Sequence, residues 1–234
     1  MTAEDLDARL ATVASLAEPV RRALYRHVVA QAQPVSRDGA AQALGVARHV
    51  AKFHLDRLVE DGLLEVEYRR PPGRGGPGAG RPAKLYRPSN RQIAVTLPER
   101  NYELAGRILA RAVHDAGKGD VPVGDALAGA ATDAGKAVGE EARGRAGARP
   151  SGQKLLAAAT EALRDCGYEP RVGPHGVTLA NCPFQTLARE YTETVCGMNL
   201  AFVRGVLDAA KLGKVEAVLD PAPNQCCVRL VQHR

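Results

Sequence analysis

An α+β chain follows from three observations on the 234 residues. Apolar residues recur at helical spacing from Pro19 to Glu60, interrupted by a turn at Gly45. Two alternating segments, LLEVEYRR and AKLYRPS, then flank a connection in which nine of the twelve residues from Pro71 to Pro82 are Gly or Pro. Beyond residue 151, helical and alternating patterns follow one another in the order α-β-β-α-β-β. The expected organisation is a helix-turn-helix with a hairpin over residues 1–90, a helical connector and dimerisation region over 91–150, and an α+β cysteine-containing domain over 151–234.

The first hundred residues justify their part as follows. Thr2 with Asp5 forms a capping box for a first helix, and Pro19 suits the first turn of a second, VRRALYRHVVAQ. Ser36 caps SRDGAAQAL, Gly45 turns the chain, and a third helix runs from about Ala47 to Glu60. Placed at 100° per residue, Ala47, Val50, Ala51, His54, Leu55 and Leu58 gather on one side of that helix. Arg48, His49, Lys52, Phe53 and Asp56 gather on the other, with Arg57 flanking. One face packs and the other presents donors, as a helix entering a DNA major groove must. His54, amid the apolar side, reads as a core histidine.

Charge supports the same reading. Residues 1–100 hold 16 Lys+Arg against 11 Asp+Glu, so they carry +5 of the formal +6. From 68 to 91 stand Arg69, Arg70, Arg74, Arg81, Lys84, Arg87 and Arg91 with no acid. That is a polyanion footprint. The hairpin is a wing: Arg74, Arg81 and Lys84 would reach the sugar-phosphate backbone or a minor groove, while Ser36, Arg48, His49, Lys52, Phe53 and Arg57 serve the helix-turn-helix contact. The glycines of the wing are no phosphate-binding loop, because neither Gly-Lys-Ser/Thr nor a helix follows them.

LAEPVRRALYRHV, SRDGAAQALGVARHVAKFHLDRLVEDGLLEVEYRR and GRPAKLYRP resemble the ArsR-type winged-helix regulators, in the branch that includes SufR, over about residues 10–90. The resemblance implies a homodimer on a double-stranded DNA operator. With no 18-residue apolar run and no apolar leader, the sequence suggests a cytoplasmic chain off the membrane. No acid–base or nucleophile–base constellation is visible, so an enzyme is not expected; a thiol oxidoreductase would want a C-x-x-C that is missing.

The middle is expected to be helical over PERNYELAGRILARAVHDA and again from about Val123 to Arg145, despite the glycines of the second segment. Next come the helix GQKLLAAATEALRDC, strands YEPRV and GVTLA, the helical stretch CPFQTLAREYTETVCGMNLAFVRGVLDAA, and strands KVEAVLD and CCVRLV.

Five cysteines in such a chain raise the question of metal or redox chemistry. Asn181 or Cys182 would cap the helix that Pro183 begins, favouring a Cys182 thiolate. Fourteen residues of straight helix would hold Cys182 and Cys196 about 21 Å apart. A shared site therefore requires a break, expected in the poor helix formers Thr192, Thr194, Val195 and Gly197. On a strand, Cys226 and Cys227 would point to opposite faces, with Cys226 on the side of Cys196. Spacing alone leaves buried cysteines and a metal site equally open.

NCPFQTLAREYTETVCGMNL and the late CCV resemble the C-terminal sensor domain of SufR-like regulators, which holds an iron–sulfur cluster. The resemblance implies a 2Fe-2S or 4Fe-4S cluster on Cys182, Cys196 and Cys226, with Cys227, Cys166 and His175 as lesser alternatives for a further ligand, and hence an iron–sulfur redox sensor acting as a repressor. Gln185 stands where many relatives have histidine. The alternative is a winged-helix regulator sensing zinc or oxidation directly through its thiols.

Overall fold

The computed structural model describes residues 3–70, 82–119, 121–174 and 176–233. The chain divides into two compact units, with the boundary between Val95 and Thr96. Thr2 of the expected capping box, the wing residues Arg74 and Arg81, and His175 lie outside the described residues.

In the N-terminal unit, α1 (Ala3–Ser15) is followed by α2 (Pro19–Val29), β1 (Val35–Ser36), α3 (Arg37–Leu44), α4 (Arg48–Glu60), β2 (Leu64–Arg69) and β3 (Ala83–Pro88). Pro19 opens α2, and Glu18 caps it by accepting from the backbone N–H of Val20 at 3.1 Å and Arg21 at 2.5 Å. Ser36 Oγ caps α3 through Gly39 N–H at 3.0 Å, and Gly45, at φ 63°, turns α3 into α4. The two-residue strand β1, absent from the sequence expectation, adds to the hairpin: Val35 pairs with Tyr86 and Ser36 with Leu85, giving the antiparallel order β1-β3-β2. Leu24, Val28, Ala40, Ala51, Leu55, Leu58, Leu64 and Tyr86 close this unit's core.

In the C-terminal unit, α5 (Tyr102–Ala116), α6 (Val123–Arg145) and α7 (Gly152–Asp165) precede β4 (Pro170–Gly173) and β5 (Gly176–Leu179). Then come α8 (Gln185–Glu190), α9 (Thr192–Ala209), β6 (Val215–Leu219) and β7 (Val228–Gln232). The sheet is antiparallel in the order β4-β5-β7-β6. α5 starts at Tyr102 rather than Pro98, because Asn101 Oδ1 accepts from Leu104 N–H at 3.0 Å and so ends the preceding loop.

The helices expected as a connector do not stand apart. Ala105, Ile108, Leu127 and Ala131 share one core with Phe184, Phe202, Val206 and Leu230. Along α6, glycine permits close approach: a β-carbon at Gly135 or Gly139 would overlap the backbone of Phe202 or Val206 on α9, and one at Gly205 would overlap that of Thr132. These glycines weaken helix propensity, but they let two backbones meet where no side chain fits.

Candidate functional site

Two places in the chain gather functional side chains. The first is the outer face of α4. Ala51, Leu55 and Leu58 are buried, Val50 and His54 are half-buried, and Arg48, His49, Lys52, Phe53 and Arg57 are exposed. Ala47, expected on the packed side, is exposed, since it stands at the N-cap ahead of the first turn. His54 is held inside the unit, with Nδ1 accepting from Arg21 Nε at 3.5 Å and lying 3.6 Å from Glu18.

The cations of this face are tied to acids. Arg48 Nε lies 2.6 Å from Asp38 on α3, and Arg57 lies 3.1 Å from Asp61 and 3.5 Å from Glu60. Asp56, counted among the outward residues, is instead half-buried and joins α4 to the wing. It accepts from Lys84 Nζ at 2.5 Å and from the Tyr86 hydroxyl at 2.7 Å, with Lys52 Nζ at 3.3 Å. Burial pulls its carboxyl upward, but the hydrogen bonds from Lys84, Tyr86 and Lys52 outweigh this and hold it below the usual carboxylate value. Burial and the bond to Asp56 push the Tyr86 phenol well up. The sequence carried a signal for this clamp: Lys52 and Asp56 are four apart on a helix, and Lys84 and Tyr86 alternate onto one strand face.

Ser36, expected at the DNA, spends its hydroxyl on the α3 cap. With Arg37, Asp38, Lys52, Tyr68 and Lys84 it lines an open cavity of about 470 Å³ beside the wing.

Residues 16–67 match the family model of a helix-turn-helix domain. No curated protein and no solved structure matches the chain. The helix-turn-helix domain spans α2, α3, α4 and most of β2, and supports reading the chain as a DNA-binding transcriptional regulator. Among the described residues no helix is long and apolar enough to cross a membrane.

The second place gathers the thiols of the C-terminal unit. The chain breaks between Cys182 and Cys196, at Tyr191 (φ −126°, ψ 56°) rather than in the Thr192–Gly197 run, which forms the start of α9. Two local causes fit. The Thr192 hydroxyl takes the Ala188 carbonyl at 2.8 Å, competing with the backbone ladder. Val195 and Met198 are buried in the core, so packing overrides the weak propensity of their neighbours.

Cys182 does not cap a helix: α8 begins three residues later, with Phe184 at its N-cap and no side-chain cap bond. Cys226 and Cys227 lie just ahead of β7 rather than on it, yet the alternation runs through them: Cys226 is buried with Val228 and Leu230, while Cys227, Arg229 and Val231 are half-buried. Asp220 N–H donates to Cys227 O at 2.7 Å, and Cys226 N–H to Leu179 O at 2.8 Å. The thiols stand in a row in which neighbours act on one another: Cys226 on Cys182, Cys182 and Cys227 on Cys226, and Cys227 on Cys196. Among the described residues, however, no three His, Cys, Asp or Glu converge on one ion position. The thiols are neighbours in series, not a closed cage around a point.

Burial and neighbouring thiols raise Cys182, Cys196 and Cys226. The bond to Cys226, then burial, drives the Cys182 thiol far up, overriding the Phe184 backbone N–H and the Arg100 charge that favour its thiolate. The expected lowering of Cys182 by a helix terminus is therefore overturned. At Cys226 the bond from Cys182 lowers the value, but the bond to Cys227 and burial prevail and leave it at about 11. Burial likewise raises Cys196, against the opposing bond to Cys227. Cys166 is raised to about 11 by burial and then by Asp165, with no other thiol among its chief influences.

Three polar side chains that the sequence reading missed support the row. Asn199, 1% exposed, donates from Nδ2 to Cys226 Sγ at 3.1 Å and accepts from the Tyr168 hydroxyl at 2.5 Å. Tyr168 is fixed by stacking on Phe202 and by an edge contact with Phe184. Arg100 donates to Asn181 Oδ1, to Cys182 O at 3.3 Å and to Gln185 Oε1 at 2.5 Å, so Gln185 braces the cysteine loop. Asn199 could have been found, since it stands three residues past Cys196 on one helix. Nothing in the sequence points from Arg100 to Cys182.

Proposed function

We propose that the chain is a cytoplasmic, homodimeric transcriptional repressor rather than an enzyme, and that an iron–sulfur cluster on its C-terminal cysteines controls its affinity for operator DNA. The observation that carries the reading is the row of four thiols, Cys182, Cys196, Cys226 and Cys227, in the unit that follows a helix-turn-helix domain.

The donor set fits such a group. Four cysteines are the usual complement of a 2Fe-2S or 4Fe-4S centre, and hydrogen bonds to their sulfurs tune it. Asn199 supplies one such bond, and Arg100 places positive charge beside Cys182. When bound, the cluster would supply a centre sensitive to oxidation and loss. Asn199 and Tyr168 would orient Cys226, and Arg100 would hold the Asn181–Cys182 turn and offset anionic charge. In the DNA-binding unit, α4 would enter the major groove with the wing on the backbone. Operator affinity would depend on two such helices held in register by the dimer.

The test is protein purified without oxygen. Visible absorption with iron and acid-labile sulfide is expected. A colourless protein carrying stoichiometric zinc overturns the cluster.

A further inference from the structure

We infer that Phe53 reads the 5-methyl group of a thymine in the operator and is the apolar specificity determinant of this domain; the inference rests on the DNA-binding reading. The recognition face of α4 is otherwise polar, and its cations already have partners: Arg48 has Asp38, Lys52 has Asp56, and Arg57 has Asp61 and Glu60. Exposed ion pairs of this kind are weak and exchange readily for phosphate oxygens. They suit positioning on the backbone better than reading one base.

Phe53 is different. It leaves 64% of its surface in water at the middle of this face, one turn past His49 and next to Lys52. A large exposed aromatic ring gains nothing from the folded monomer. It is nevertheless braced: its ring meets His54 edge-on, with centroids 5.2 Å apart and planes at 70°. His54 is in turn fixed by Arg21 and Glu18. The ring is thus presented outward in a defined orientation. In the major groove the apolar feature distinguishing one base is the thymine methyl, which Phe side chains contact.

The experiment selects duplexes from a random double-stranded pool with the full-length protein prepared without oxygen. Each selected thymine is then replaced by uracil, which removes only the methyl. Uracil at the contacted position of a single half-site is expected to weaken the wild type about 4-fold, the factor that burial of one methyl, about 0.8 kcal/mol, converts to. Phe53→Ala should bind thymine and uracil duplexes alike, and Phe53→Leu should keep an intermediate ratio, with unchanged circular dichroism in both. Wild-type binding indifferent to uracil at every position, or a Phe53→Ala protein with the wild-type ratio, overturns the inference while leaving DNA binding intact. Failure of the wild type to retain any duplex at low salt overturns the DNA-binding reading and the inference with it.

Discussion

The two candidate sites handle charge in opposite ways. On α4 and the wing, ionised groups stand at the surface in exchangeable pairs, with Asp38 and Asp56 occupying the cations. Around Cys226, itself buried, the thiols of Cys182, Cys196 and Cys226 are pushed up, and neutral amide and phenol groups of Asn199 and Tyr168 do the orienting. A surface of weak pairs can trade its acids for a polyanion at little cost. A row of half-buried thiols anchored on buried Cys226 is tied to the core, so a change at these sulfurs would be felt there. The first arrangement suits association, the second suits sensing.

The contrast breaks most sharply at the thiols. Cys→Ser at 182, 196, 226 or 227 is expected to abolish visible absorption and iron content, whereas Cys166→Ser should retain both; the measurement is metal and sulfide analysis on anaerobic protein. Retention of iron by Cys227→Ser would reduce the ligand set to the three cysteines that the sequence favours. Next in size is Gly139→Leu, which drives a side chain into the Val206 carbonyl and the Ala209 β-carbon. Overpacking at backbone contact should cost about 3 kcal/mol or more, read by urea denaturation of the C-terminal unit. A G139L protein of wild-type stability would mean that α6 and α9 are not in such close contact.

The same contrast explains what could be read in advance. The outward face of α4 announces itself because packed and outward residues repeat every turn within thirteen positions of one element. Neighbours in sequence are there neighbours in space. The thiol row instead joins a turn before α8, the first turns of α9 and a loop before β7. Spacings of fourteen and thirty residues say nothing of proximity until the chain has folded. Geometry still allowed one deduction, since a straight helix could not bring Cys182 to Cys196, and a break exists, at Tyr191. Its position was misread because β-branched residues cost only tenths of a kcal/mol in a helix, less than burying Val195 returns. The Cys226–Cys227 pair lies ahead of β7 by a boundary shift, but its alternation is as expected, with Cys226 buried beside Val228 and Leu230 and Cys227 half-buried. α6 was legible as a helix despite its glycines, but their purpose was not, because it lies in the backbone of α9.

Asp56 offers a smaller and sharper probe of the surface site. Asp56→Ala leaves the Tyr86 hydroxyl, on a residue 1% exposed, without its acceptor. The expected cost is about 1–3 kcal/mol. Because the folded carboxyl titrates below its usual value, the stability it contributes is present above roughly pH 4 and is lost as pH falls through the folded value. Urea midpoints of wild type and variant should therefore differ at neutral pH and converge in acid. A gap that persists unchanged into strong acid would show that the carboxylate's charge is not what holds the wing to α4.

The smallest change in stability comes with a measurable change in binding. Lys52 is exposed, and its contact with Asp56 is an i,i+4 surface pair at 3.3 Å, so Lys52→Ala should alter stability by less than about 0.5 kcal/mol. If Lys52 exchanges Asp56 for a phosphate on DNA, the same substitution should lower the salt dependence of binding by about two units of log–log slope, one for each Lys52 of the dimer, across all duplex sequences. Adding Arg48→Ala should remove about two further units, one per protomer, and bring operator binding to the background. Asp56 then serves as a stand-in for phosphate in the free protein, holding Lys52 and Lys84 together until the polyanion replaces it. An unchanged slope in Lys52→Ala would instead make Lys52 part of the clamp alone, and would leave the outward face of α4 to Arg48, His49 and Phe53.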